Sequence, residues 1–372
     1  MLTRMTRSMQ GRPLWPVTTW GGGARRAVVR MGGAVEENPL APEDSLSKNP
    51  LPLGEGRVRV VPPSSDGPLE PTDPHPDPLP EGEGGPNTAP ATVIAVFARS
   101  FYLANDMGEI ACIGPAGLGG GPLNVLCELP AGLDFQASGP RVGETATCDG
   151  VVLRIAGRFA LALAGAAPWQ PHPPPAAWDG ARLAAGLAAL SAATRDVSGA
   201  GGLAPLVAGL AGNDWRAEVS SPQSPLLRLA VPAIVALGEF LAGRAAAPGE
   251  PAAILVGLGP GLTPSGDDLI GGAMIALHTL GRGGTARRLA GWALPLAGGR
   301  TGAISAAHLA CAADGEGSAA LHDLLAALMA PDDAGIVAAT RTLATIGHSS
   351  GWDMLAGAAL ACASVRDGFS AG

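Results

Sequence analysis

The hydrophobic period of this chain changes once, at the proline run Gln170-Pro-His-Pro-Pro-Pro175, and that change restricts the fold more than any other feature. From about Thr92 to Trp169 the apolar residues come in short runs: 93–97, 110–113, 123–126, 151–155 and 159–163. Runs of that length between glycine turns read as strands, and the last two flank Ala156-Gly157, the turn of a hairpin. After the prolines the spacing becomes helical, over 178–194 and 224–247 with breaks expected at Pro225 and Pro232. Further helices are expected at 266–280, 285–297, 302–313, 317–329, 332–345 and 351–366. Strands followed by consecutive helices define an α+β fold with segregated parts, not an alternating sheet. The expected organisation is a small β-rich domain over 92–170, barrel- or sandwich-like, and a mainly α-helical domain over 176–372.

Residues 1–91 read differently. Gly/Arg-rich sequence gives way to Pro/Glu/Ser-rich sequence without a hydrophobic period, and Asn49-Pro-Leu-Pro-Leu-Gly-Glu-Gly56 is echoed by Asp77-Pro-Leu-Pro-Glu-Gly-Glu-Gly84. The second copy resembles a translated dispersed bacterial DNA repeat. The segment is therefore expected to be disordered, either as read-through ahead of a later start codon or as a linker. It carries no expected function, and Arg25-Arg26 lacks the apolar run of a secretion signal.

Charge and composition exclude several classes. Residues 1–90 hold nine basic and eleven acidic side chains, so the remaining 15 and 21 leave the body of the chain at −6. An acidic body without a basic run argues against nucleic acid as a partner. The only lysine, Lys48, lies outside the expected domains, which removes Schiff-base chemistry and a P-loop lysine. Cys112, Cys127, Cys148, Cys311 and Cys362 show no CxxC spacing and read as reduced packing thiols of a cytoplasmic protein. The apolar segments near Ile234 and Met274 are shorter than the ~20 residues that span a bilayer, so no membrane partner is expected.

The least ordinary stretch is ILVGLGPGLTPSGDDLIGGAMIALHTL, residues 254–280. Gly257, Gly259 and Gly261 alternate with other residues in a loop stiffened by Pro260 and Pro264. Ser265 stands at the expected N-cap with Asp268 three residues on, a short capping box. Gly261 to Gly266 has the spacing of a phosphate loop, but Asp267-Asp268 stand where lysine and a hydroxyl residue belong. Inverted charge leaves two routes to an anion: a Mg²⁺ held by Asp267 and Asp268, or an arginine from elsewhere. Helix capping by both aspartates is the structural alternative. A dinucleotide fingerprint is excluded by the spacing.

Ser265-Gly-Asp-Asp-Leu-Ile-Gly-Gly-Ala-Met-Ile-Ala is echoed by Ser350-Gly-Trp-Asp-Met-Leu-Ala-Gly-Ala-Ala-Leu-Ala, giving S-G-x-D-h-h-x-G-A-h-h-A with h apolar. Two such helix starts are expected to converge on one anionic ligand. Ser349 also fits G-x-S-x-G, but no histidine follows His348, which excludes a hydrolase triad in that order. Arg300, with Thr301 and Ser305 one helical turn apart, has the chemistry to hold a carboxylate or phosphate. Asn124, behind Gly119-Gly120-Gly121-Pro122, is a candidate contact or a turn cap. His278, His308 and His322 lack metal-ligand spacing and read as packing residues.

From about Val93 to Ala363 the chain resembles the oxamate carbamoyltransferase subunit AllH-like family, formerly a bacterial domain of unknown function. The resemblance rests on VGLGPGLTPSGDD (256–268), RTGAIS (300–305), GHSSGWDMLAG (347–357) and, more weakly, GGPLN (120–124). It implies carbamoyl exchange between oxalurate and phosphate in allantoin breakdown, as a transferase subunit with partner subunits of the same operon. Gly302 departs from the pattern, where a second hydroxyl residue is expected beside the arginine. The expected catalytic residues are Asp267, Asp268 and His348. Phosphate and an oxamate- or oxalurate-like anion would be bound by Gly259, Gly261, Thr263, Ser265, Gly266, Arg300, Thr301, Ser305, Ser349, Ser350, Asp353 and Asn124. The residues assign no cofactor with certainty, and Mg²⁺ at Asp267 and Asp268 is the one candidate. The competing class is a non-catalytic anion- or carboxylate-binding subunit.

Overall fold

The computed structural model describes residues 6–7, 13–31, 90–197, 201–212 and 224–370. Ten strands form one sheet: β1 (Thr6–Arg7), β2 (Pro13–Trp20), β3 (Ala91–Val96), β4 (Phe101–Ala104), β5 (Ile110–Pro115), β6 (Asn124–Cys127), β7 (Thr145–Cys148), β8 (Val152–Ile155), β9 (Phe159–Ala162) and β10 (Ala167–Pro168). Eight of them close on themselves in the order β2-β6-β5-β4-β3-β7-β8-β9 and back to β2, a β-barrel. The hairpin read from Ala156-Gly157 is present, with Ile155 opposite Phe159 and positive φ at both turn residues.

The barrel differs from expectation at its closing strand. Residues 13–31, placed with the disordered segment by composition, supply β2 and helix α1 (Gly22–Arg30). β2 pairs antiparallel with β6 and parallel with β9, so without it both neighbours would be open edges. Val17, Ala24, Ala27, Val28 and Met31 are buried in the same core as Leu103, Ile113, Phe101 and Leu153. The expectation of disorder over 1–91 fails at this stretch because Pro13, Pro16 and the Gly/Arg run hide a strand and a short amphipathic helix. Residues 32–89, which include the repeat, lie outside the described residues.

The helical part comprises α2 (Phe135–Ser138) in the barrel's loops, then α3 (Gly180–Ala193), α4 (Val207–Ala211), α5 (Pro225–Leu241), α6 (Gly249–Ala252), α7 (Ser265–Thr279), α8 (Gly283–Ala297), α9 (Ala303–Ala313), α10 (Ala319–Met329), α11 (Asp333–Leu343) and α12 (Ser350–Ser370). Pro225 opens α5 at its first turn, where its missing N–H costs nothing, behind a Ser224 cap. The break expected at Pro232 is absent, since α5 runs through it. α7 is the centre of this half: every residue from Ser265 to Leu277 is buried, which suits an all-round small and apolar helix. α8, α9 and above all α12 pack around it.

The two halves meet at α9 and the barrel wall. Ile304 and Cys311 share a core with Ala95, Ile110 and Leu123, and Tyr102 and Ala307 pack against it. That second apolar face explains why β5 is buried on both sides from Ile110 to Gly114. The backbone N–H of Ala319 also donates to the Gly120 carbonyl across the junction at 2.8 Å. No helix among the described residues is long and apolar enough to cross a membrane.

Candidate active site

α7 and α12 lie against each other with their N-termini at the same end. The pairing is set by glycine. A Cβ on Gly272 would fall 2.0 Å from the Met354 carbonyl oxygen, and one on Gly357 would fall 1.8 Å from that of Leu269. Backbone therefore meets backbone in both directions, which only glycine permits. Close approach brings Thr263 Oγ1 and Ser350 Oγ to 2.8 Å of each other. Each helix end carries roughly half a positive charge from its macrodipole, so the junction concentrates two such ends.

Three carboxylates occupy this junction, and they are not equivalent. Asp267 is spent on the scaffold: its Oδ1 accepts the Gly257 N–H at 2.8 Å, and its Oδ2 accepts the Ser305 hydroxyl at 2.7 Å. It ties the glycine loop to α9. Gly257 is held there at φ +78°, with the Arg300 carbonyl against its Cα. Asp268 and Asp353 are different. Both are buried, at 8% and 0% exposure, and each has an Oδ2 with no hydrogen-bond partner among the described residues.

Asp353 Oδ1 accepts the Leu203 N–H at 2.6 Å from the loop before α4. Gly202, at φ +62°, lets that loop come close. Burial pushes the Asp353 carboxyl above its ordinary range, against the Leu203 amide and the Ser265 and Ser349 hydroxyls. Burial raises Asp268 well above its ordinary 3.8, and the Asp353 charge adds to this, while the Ser350 and Thr263 hydroxyls act against it. The serines thus cross over: Ser350, at the start of α12, serves Asp268 on α7, and Ser265, at the start of α7, serves Asp353 on α12. Burial that raises a carboxyl pKa makes its proton easier to hold than on an exposed carboxylate.

The barrel supplies the facing wall. Tyr102, the only tyrosine of the chain, has its phenol raised well above 10.0 by burial, by Cys112 and by the Asp268 charge. Phe97 stacks edge-on against it at 6.0 Å.

Residues 255–362 match the family model of oxamate carbamoyltransferase subunit AllH. No curated protein and no solved structure matches the chain. The AllH match contains the glycine loop, all of α7 to α11 and the start of α12, and so both aspartates and both serines of the crossover. It leaves the barrel, and with it Tyr102 and the GGPLN stretch, outside.

Within the AllH segment, Thr263, Ser265, Asp268, Ser349, Ser350 and Asp353 come together as the internal echo suggested. Ser265 does not cap α7. Pro264 holds the N-cap position and no side chain caps the helix. Gly259 packs on Ser265, and the Gly266 N–H is taken by the Leu258 carbonyl at 2.9 Å, so the loop already fills part of its own amide cradle. Gly261 has φ +99° and open space where a side chain would lie. Arg300 is exposed, with its guanidinium on the Ala253 carbonyl at 2.8 Å. Ser305 goes to Asp267, while the Thr301 hydroxyl is buried without a partner among the described residues.

His348 is exposed and lies beside Gly201. Asn124 closes the glycine turn through the Gly119 carbonyl at 2.9 Å, as a turn cap does. The Asp267–Asp268 pair fits Mg²⁺ poorly, since both Asp267 oxygens are engaged. Among the described residues no group of three His, Cys, Asp or Glu side chains forms a metal site. His308 and His322 are pushed down to about 4 by burial, and His322 Nε2 accepts the Gly317 N–H, which fixes it neutral. Sequence reasoning missed Tyr102 and the Gly202-Leu203 loop; the single tyrosine and the Gly201-Gly202 pair were the available signals.

Proposed function

We propose that this chain is a subunit of an oxamate carbamoyltransferase-like enzyme, exchanging a carbamoyl group between oxalurate and phosphate, with the paired N-termini of α7 and α12 as its site. The observation that carries the reading is the pair of buried carboxylates Asp268 and Asp353, each with an unpartnered Oδ2, inside the AllH-matched segment. Phosphorolysis of oxalurate makes a C–O bond from a phosphate oxygen to the ureido carbonyl and breaks the C–N bond to oxamate. The hydroxyl proton of the attacking hydrogen phosphate must reach the departing nitrogen. Two buried carboxyls at one helix junction can take that proton and return it. The two helix ends favour the charge that builds on the attacked carbonyl oxygen.

The family description names a subunit, so partner chains are expected. A second reading is supported by the spent Asp267 and exposed His348: the chain binds the carboxylate substrate while a partner carries out the transfer. The complex co-purified from the native operon, and the isolated chain, should be assayed with oxalurate and phosphate for oxamate and carbamoyl phosphate. Transfer by the complex supports the proposal, and transfer by the isolated chain excludes the binding-only reading. A complex that forms but gives no transfer contradicts it.

A further inference from the structure

The two buried carboxylate oxygens that lack a partner pose a specific problem. An acceptor removed from water without a donor costs on the order of 1–3 kcal/mol, and native proteins keep few of them. Here two stand at one junction, Asp268 Oδ2 and Asp353 Oδ2, within reach of each other's charge. The remaining oxygen of Asp353 is fixed by Leu203 N–H, so its free oxygen is the one left for a ligand. Thr263 Oγ1 and Ser350 Oγ, 2.8 Å apart, stand at the same helix junction.

An all-acceptor ligand such as oxalate answers this arrangement badly, because its oxygens would meet carboxylate oxygens. An NH₂ group answers it well, having two N–H donors for two acceptors, while the carbonyl beside it accepts from the hydroxyls. We infer that Asp268 and Asp353 together accept the two N–H bonds of a primary amide, the –CO–NH₂ end of the substrate. The inference rests on the proposed function for the substrate's name but not for the chemistry of the contact. It gives the carboxylates a recognition role that phosphate binding at the loop would not require.

Calorimetric titration of the full chain with oxamate, oxalate and N,N-dimethyloxamate tests it. Oxalate keeps the size of oxamate and replaces the amide nitrogen by oxygen; the dimethyl compound keeps the charge and removes both N–H donors. Oxamate should bind at least about tenfold more tightly than either, since a site built for N–H donors rejects analogues without them. Asp353→Asn, which replaces an acceptor by a donor, should shrink the oxamate-to-oxalate ratio. The wild-type ratios need no variant and decide the matter if Asp353→Asn fails to fold. Oxalate or the dimethyl compound binding as well as oxamate, or no binding of oxamate, overturns the inference. Carbamoyl transfer is measured on the same preparation with its partners. Amide preference without transfer would remove the functional reading alone, and transfer without amide preference would remove the inference alone.

Discussion

Gly272 and Gly357 make one contact in opposite directions. Gly272 lies on the Met354 carbonyl and Gly357 on the Leu269 carbonyl. The offset between Gly272 and Gly357 is the offset between Leu269 and Met354, between Ser265 and Ser350, and between Asp268 and Asp353. α7 and α12 are therefore related by a local two-fold, and the crossing of serines to aspartates follows from it. A repeated helix start has become a two-sided site.

If backbone contact sets that pairing, a methyl group at Gly357 must separate the helices. Gly357→Ala should cost about 2 kcal/mol or more from overpacking, even after the ~1 kcal/mol helix-propensity gain of alanine. Thermal or urea unfolding reads this directly. A loss below about 0.5 kcal/mol, which is the scale of ordinary surface changes, would show that the helices can part freely.

Asp267 should behave as a loop anchor. Asp267→Ala removes acceptors from Gly257 N–H and Ser305 Oγ, contacts to a charged group worth about 1.5–3 kcal/mol each. Hydrogen exchange at the Gly257 amide should accelerate along with a fall in stability. Unchanged protection at Gly257 would place the anchor elsewhere.

The pH dependence has a definite sign. The folded pKa of Asp268 lies above its ordinary 3.8, so the native state binds that proton more tightly than the unfolded chain. Its contribution is complete below about pH 3.8 and is lost as pH rises through the raised value. Asp268→Asn should therefore be more stable than wild type at pH 8, with the difference shrinking toward pH 4. A melting-temperature difference that stays constant over that range would contradict the raised value. A site that costs stability is common where function needs a buried charge.

Deleting residues 1–89 should abolish the barrel. β6 and β9 would lose their shared neighbour β2, and the core would lose Val17, Ala27, Val28 and Met31. Circular dichroism and a melt of the truncated chain report this. A cooperative transition matching the full chain would mean that β2 and α1 are dispensable.

The sequence made some of this architecture readable and hid the rest for physical reasons. The helices from Ser265 onward announced themselves by period, and Val152–Ile155 with Phe159–Ala162 by their turn. β4 and β7 are only four residues long, too short for a period to emerge, and β2 is masked by two prolines. At the site, the echo of S-G-x-D put Ser265 and Ser350 in one place. It could not tell Asp267 from Asp268, because adjacent helical residues point some 100° apart and only the packing of α9 assigns each its partner. Tyr102 packs into a junction between the barrel and α9 that no local pattern encodes.

The most direct test of the account is the rate of carbamoyl transfer between oxalurate and phosphate in the complex with its native partners, for Asp268→Asn and Asp353→Asn beside wild type. With each variant shown to be folded and assembled, both rates should fall by about a hundredfold or more, the ordinary loss on removing a general acid or base. A folded, assembled variant of either aspartate that transfers at the wild-type rate would contradict it.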